Sequence, residues 1–272
     1  MAMLEDVMAG APLLVRSRGL GDVYKRQVLG VAFFLLMALL CHLGMRLGRL
    51  RGEVDRGESG DGYLLSAVLA LLGLLIGFTF SLSLSRYDSR REMVVAEGNA
   101  IGTAWLRATL VPGPEGDGLR TAMRSYGDIR ASLHDATDRS AVEARSAVAQ
   151  GTVWKALGPA LARLDPPMAA SLVGATNEMF DAASSRKAER EARIPGRVLD
   201  MVSLYALMAA GMVGYVLGRW QDRRHLAASH ALFLLLSLAM VLILDLDRPW
   251  SGGITISPQP ILDARALMHQ AP

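Results

Sequence analysis

Cysteine is nearly absent from this 272-residue chain, which has a single thiol, Cys41. One cysteine allows no disulfide within the chain and says nothing about compartment. Aromatic residues make up only 6% of the sequence, and no Gly-rich phosphate loop or nucleophile motif stands in a strand–turn–helix context. The five histidines, His42, His134, His225, His230 and His269, have no ligand partners at i, i+3 or i+4 spacing, so the sequence predicts no metal site and no cofactor. Net charge is only +3, and the arginines are interleaved with Asp and Glu without an aromatic stacking platform, so nucleic acid is not an expected partner. These absences point away from an enzyme.

Charge is missing in a more organised way. The chain is 51% hydrophobic yet 20% charged, so apolar and charged residues must be segregated. Val28 to Met45, Gly62 to Ser85, Met201 to Gly218 and Leu226 to Leu244 contain no Asp, Glu, Lys or Arg. Each is close to the roughly 18–24 residues that carry a helix across about 30 Å of hydrocarbon. One such run could be the buried helix of a large soluble protein; four together read as membrane spans. Arg46 and Arg49, Tyr63, and Arg219 with Trp220 stand at their ends, as snorkelling or anchoring side chains do. The lipid bilayer is therefore an expected partner.

Between the spans the chain divides unevenly. Residues 48–61 and 219–225 are short polar connections, whereas residues 86–200 are rich in Ala, Arg, Glu and Ser and predict a helical extramembrane domain. Its expected breaks are VPGPEGDG at 111–118, LDPPM at 164–168 and Arg193-Ile194-Pro195-Gly196, and Pro159 is expected to kink or begin a helix. The fold class that follows is an all-α membrane protein with four transmembrane helices, paired as 28–85 and 201–244, the helical domain between the second and third, and a C-terminal tail at 245–272. Residues 1–27, with VRSRGLGDVYKRQ at 15–27, read as a non-native leader or a disordered segment; the alternative is a native basic leader.

The second span has no stop signal. After GFTFSLSLS come Arg86, Asp88, Arg90, Arg91 and Glu92 without a Pro or turn residue, so the helix is expected to run on past the membrane. Two stripes run down it. One is apolar, Ile76, Phe80 and Leu84; the other is polar, Thr79, Ser83, Arg86 and Arg90. Either suits a pore, the first as a constriction and the second as an anion-attracting wall. Equally, the first suits packing or lipid, and the second suits hydroxyls bonded to the preceding turn. Gly73/Gly77 and Gly214/Gly218 are G-x-x-x-G pairs and predict close helix contacts, as do Gly98 and Gly102.

Three stretches in order carry a resemblance: GFTFSLSLSRYDSRRE at 77–92, AEGNAIGTAWLR at 96–107 and LDLDRPWSGGITISPQPI at 244–261. Together they resemble the bestrophin-like family of bacterial four-span membrane proteins and, more distantly, the bestrophin anion channels. The resemblance implies a homopentamer in the bacterial inner membrane, with second spans around one chloride-type pore and the helical domain in the cytoplasm. By position it implies a neck at Ile76, Phe80 and Leu84, with Arg86 just beyond. Asp247, Arg248, Pro249 and Trp250 match the motif after the fourth span, where Pro249 would stop the helix and Trp250 would anchor at the interface. Asp245 and Asp247 are too few carboxylates for a calcium site of six to eight oxygens, so no calcium gating is expected. A second reading stays open: a non-conducting scaffold or sensor whose helical domain binds a partner.

Overall fold

The computed structural model describes residues 13–50, 61–219, 225–247 and 254–270. Within them the chain forms eight helices and no strand: α1 (Leu13–Leu50), α2 (Asp61–Ala108), α3 (Gly113–Ser132), α4 (Arg139–Leu161), α5 (Pro166–Glu191), α6 (Gly196–Arg219), α7 (Leu226–Asp247) and α8 (Gln259–Gln270). Four segments are long and apolar enough to cross a membrane, and they contain the four uncharged runs. The protein is an all-α integral membrane protein. All-helical spanning follows from the solvent, because lipid offers no hydrogen bonds and a helix satisfies its own backbone. The expected 1–27 leader is helical from Leu13 onward.

The chain separates into two compact units, one made of the residues up to Tyr87 with Arg193–Thr255, the other of Asp88–Ala192 with the segment from Ile256 onward.

In the membrane unit, α1 lies along α6. Gly44 and Gly48 of α1 face Gly211 and Tyr215 of α6, while Gly214 and Gly218 of α6 face the Cys41 and Met45 carbonyls of α1; a Cβ on any of the four would overlap backbone. With little hydrophobic force between helices in lipid, close backbone approach and van der Waals contact hold such a pair. The Gly214/Gly218 pair thus makes the contact its spacing predicts. Around the seam Met37 and Cys41, Leu72 of α2, Ala206, Ala209, Ala210, Val213 and Leu217 of α6, and Phe233 of α7 form a buried cluster. A second cluster joins Ile194, Val202, Met240 and Ile243, with Leu75, Ile76 and Phe80 packed against it.

In the extramembrane unit the loops are shorter than the sequence suggests. The expected loop at 111–118 is mostly helix: α3 starts at Gly113 with proline in its first turn, where a missing N–H costs nothing. Likewise Pro166 opens α5 directly after its N-cap, Asp165. Asp138 caps α4 by accepting from the Ala141 amide at 3.1 Å, and Pro159 falls in the last turn of that helix. Trp105, Leu119, Met123, Tyr126, Leu157, Leu172 and Met179 fill the core. The tail expected at 245–272 contains a helix the sequence analysis did not anticipate, α8, which buries Ile261, Ala264 and Met268. Gly98 accommodates it: a Cβ there would lie 2.6 Å from the Pro260 carbonyl oxygen. Among the described residues nothing lies within 4 Å of a Cβ placed on Gly102.

Asp128 tethers α8, accepting from Arg265 Nε at 2.6 Å and lying 3.0 Å from His269 Nε2. Burial raises its pKa, but these two partners outweigh that and hold the carboxyl below its usual value. A depressed carboxylate contributes stability above its unfolded pKa of about 3.9 and loses it as pH falls through the folded value. Asp128→Asn should therefore increase amide exchange in α8 at neutral pH, and acidification below about pH 4 should erase the difference between variant and parent. A second test concerns the seam: Gly214→Val should destabilise the detergent-solubilised protein by at least ~3 kcal/mol of overpacking, read as a lowered melting temperature. Gly73→Ala, with no described residue within 4 Å of its Cβ position, should not lower the monomer's melting temperature and should raise it slightly, because alanine is up to ~1 kcal/mol better than glycine inside a helix.

Candidate functional site: the open face of the second helix

α2 is 48 residues long and carries basic Arg107 in its last turn. Within the membrane unit it buries one side and leaves the other open. The buried side holds Leu72, Thr79 and Ser83, with Ile76 and Phe80 half-buried against Ile194, Val202, Met240 and Ile243. Thr79 Oγ1 donates to the Leu75 carbonyl at 2.7 Å, and Ser83 Oγ donates across to the Ile243 carbonyl of α7 at 2.9 Å. Both hydroxyls are therefore satisfied inside the subunit.

Within one subunit the three residues of the expected neck have different surroundings. Ile76 and Phe80 are half-buried against the second cluster, and Leu84 is exposed, at 40%. The polar stripe does not form an open wall. Arg86 is half-buried, with Nε enclosed and unpartnered among the described residues. In the extramembrane unit Arg90 is buried and donates to the Glu189 and Ala192 carbonyls at 3.1 and 2.5 Å, so it serves the unsatisfied C-terminal end of α5. Arg248, Pro249 and Trp250 lie outside the described residues. Asp247 is buried and accepts from the Ile194 amide at 3.0 Å, which fixes the approach to α6. Asp245 accepts from the Ile254 amide at 3.0 Å and pairs with Arg26. Both carboxylates thus have structural partners, and no group of three His, Cys, Asp or Glu suited to a metal ion occurs among the described residues.

The open side is a different set: Ala67, Ala70, Leu74, Phe78, Ser81 and Ser85, at steps of three and four, with Gly73 and Gly77 beside them. Leu74 is 52% exposed and Phe78 65%. The other membrane helices present bulky aliphatics outward, Leu35, Leu39, Leu43 and Leu47 on α1 and Leu234, Leu235, Leu238 and Leu242 on α7. Such faces suit lipid. On α2 the exposed leucines Leu64, Leu71 and Leu82 are interleaved with alanine, glycine and serine, and those small positions suit lipid less well, because they leave acyl chains little to pack against and hydroxyls gain nothing from hydrocarbon. Sequence reasoning missed this stripe although its signal was present, in the recurrence of small and hydroxyl residues from Ala67 to Ser85. It had assigned Gly73 and Gly77 to helix packing, and among the described residues nothing lies within 4 Å of either Cβ position.

Two histidines far apart in sequence also meet. The His42 and His230 rings sit edge to face with centroids 5.5 Å apart, and their Nδ1 atoms lie 2.8 and 2.7 Å from the carbonyls one turn earlier. Two imidazoles without a third ligand are not a metal centre.

The pattern that defines the Bestrophin-like domain matches residues 31–261. The chain belongs to the Bestrophin-like family. Solved structures agree at the level of fold. A point mutant of a bacterial Bestrophin homolog from Klebsiella pneumoniae superposes with a TM-score of 0.64 at 12% identity, over 87% of this chain and 98% of that one. A second mutant of a Klebsiella pneumoniae Bestrophin homolog gives 0.63 at 12% identity, over 89% and 99%. A crystal structure described as a membrane protein gives 0.63 at 12% identity, over 88% and 96%. No curated protein matches the sequence. For this Bestrophin-like chain the similarity therefore spans the membrane helices and the helical unit alike.

If Phe80 is core and Phe78 is not, alanine at the two positions must differ. Phe80→Ala should lower stability by roughly 2 kcal/mol, less than the ~3–5 of a fully buried Phe because the side chain is only half-buried. Phe78→Ala should leave the melting temperature of the dissociated monomer unchanged, and thermal denaturation of both variants in a dissociating detergent distinguishes them.

Proposed function

We propose that this chain is the subunit of an oligomeric anion channel, five copies forming a ring in which the open face of α2 lines a central pore. One observation carries the reading: the open face of α2 interleaves small and hydroxyl residues, Ala67, Ala70, Gly73, Gly77, Ser81 and Ser85, with the exposed apolar side chains Leu71, Leu74, Phe78 and Leu82. Leu74 and Phe78 form the narrowest ring, a hydrophobic constriction of the kind that gates by dewetting. Ser81 and Ser85 follow it with hydroxyls for a partly dehydrated anion. Arg86, with its unpartnered Nε, adds positive potential where the hydroxyls end. Membership of the Bestrophin-like family and the fold shared with bacterial Bestrophin homologs support the same reading.

The pore lining is thus the stripe two positions earlier along the helix than the one the sequence suggested, with Leu84 at its margin. Chloride is the expected physiological ion, and the bacterial inner membrane with a cytoplasmic helical unit is the expected setting. An even number of spans places both ends of the membrane unit on one side.

The mass of the full chain in mild detergent, by light scattering that separates protein from micelle, should correspond to five subunits. Chloride flux from liposomes should rise several-fold in Phe78→Ala, where the ring widens, and stay near the parent value in Ile76→Val. A monomer or dimer without flux would overturn the channel reading and favour a scaffold whose helical unit binds a partner.

A further inference from the structure

The extramembrane unit buries a charged network at the meeting of four helices. Glu97 of α2 is fully buried, with Arg130 of α3 and Arg186 of α5 on either side; their side chains are 1% and 5% exposed. Arg130 Nε donates to Glu97 Oε1, and Arg186 Nη1 donates to Glu97 Oε2 at 2.7 Å. From Arg130 the network continues to α4, its Nη1 reaching Glu143 Oε2 at 3.1 Å and Ser146 Oγ at 3.4 Å. Glu143 Oε1 in turn accepts from Arg190 Nη2 of α5 at 2.8 Å. Glu143 and Arg190, at 15% and 11% exposure, form the rim of the group.

Two features of this network are unbalanced. Its three guanidiniums face only two carboxylates. Arg139 lies close by, where burial, and then repulsion from Arg190 and Arg186, push its guanidinium's pKa down, but it has an interaction of its own and is outside this balance. The donors are unbalanced too. Arg130 Nη2, Arg186 Nε and Arg190 Nη1 are enclosed and have no acceptor among the described residues. A buried guanidinium nitrogen without an acceptor is costly, and more so in a place that already has excess positive charge. Each oxygen of Glu97 and Glu143 already accepts from one arginine nitrogen, and the three remaining nitrogens make no hydrogen bond to either carboxylate.

We propose that this cluster is a structural binding site for a compact monovalent anion of the chloride type, held at the joint of α2, α3, α4 and α5. A single negative charge offsets the single excess of arginine over glutamate. Each of the three guanidiniums has one enclosed nitrogen without an acceptor, and a monatomic ion can use such single donors, whereas a tetrahedral oxyanion takes a paired fork. The ion approaches past the Glu143–Arg190 rim. The site is separate from the pore proposed above and stands or falls independently of conduction, since every residue in it belongs to the extramembrane unit.

The test is thermal unfolding of the full chain in detergent at constant ionic strength, titrating chloride, bromide or inorganic phosphate against gluconate. The melting temperature should rise saturably with chloride and with bromide. Arg190→Gln, which removes a rim donor, should raise the half-saturating chloride concentration by about tenfold, the cost typical of losing one charge-assisted bond. Glu143→Gln, which adds to the excess positive charge, should lower that concentration instead. Phe78→Ala should keep the parental response, separating this site from the pore. Equal melting in chloride and gluconate would show that water satisfies the donors and would overturn the proposal. A response to phosphate but not chloride, or a chloride response untouched in Arg190→Gln and Glu143→Gln, would overturn it as well.

Discussion

The rotation of α2 about its own axis is the constraint on which the rest of this membrane protein depends. It is set by the contact of Ile76 and Phe80 with the cluster of Ile194, Val202, Met240 and Ile243, and by the hydrogen bond from Ser83 to the Ile243 carbonyl. Turning the helix by one or two positions would push Phe78 into that cluster and carry Ser83 away from its acceptor. The face of Ala70, Leu74, Phe78, Ser81 and Ser85 is open because the opposite face is held. In lipid a hydroxyl has few alternative partners, so a single interhelical bond carries directional information that apolar packing alone lacks.

Glycine and charge divide the work of holding the two units. In the membrane unit Gly44, Gly48, Gly214 and Gly218 bring α1 and α6 to backbone contact, which suits a solvent as apolar as leucine. In the extramembrane unit Trp105, Tyr126, Met123 and Leu157 form a hydrophobic core, and an arginine–glutamate network lies among them. Tyr126 registers that environment: burial, opposed by the nearby Arg130 charge, leaves the phenol pKa pushed up to about 12. Buried ion networks of this kind do more for uniqueness of packing than for net stability, since each charge has lost its water.

Much of the architecture was legible from residues alone. Uncharged runs of span length, the continuation of α2 beyond Ser85 and the break before Gly196 follow from hydrophobicity and from the placement of proline and glycine. The bounds of α3 and α5 were less legible, because proline reads as a breaker although it also opens helices. The helix α8 was hidden in a tail whose amphipathic pattern, Ile261, Ala264 and Met268, is too short to stand out before its docking surface is known.

By itself the sequence determined that the chain crosses a membrane as helices, how many times, and which family it resembles, because these depend on composition over about twenty residues at a time. It did not determine which face of α2 the subunit leaves open. Ile76, Phe80 and Leu84 recur at the same helical spacing as Ala70, Leu74 and Phe78, and periodicity has no phase until a partner is in place. Only the tertiary structure, by seating α6 and α7 against one side, decided which apolar residues became core and which remained open. The same holds for Glu97, Arg130, Glu143, Arg186 and Arg190: in the sequence they look like ordinary solvated helix charges, and folding alone brought them together away from water.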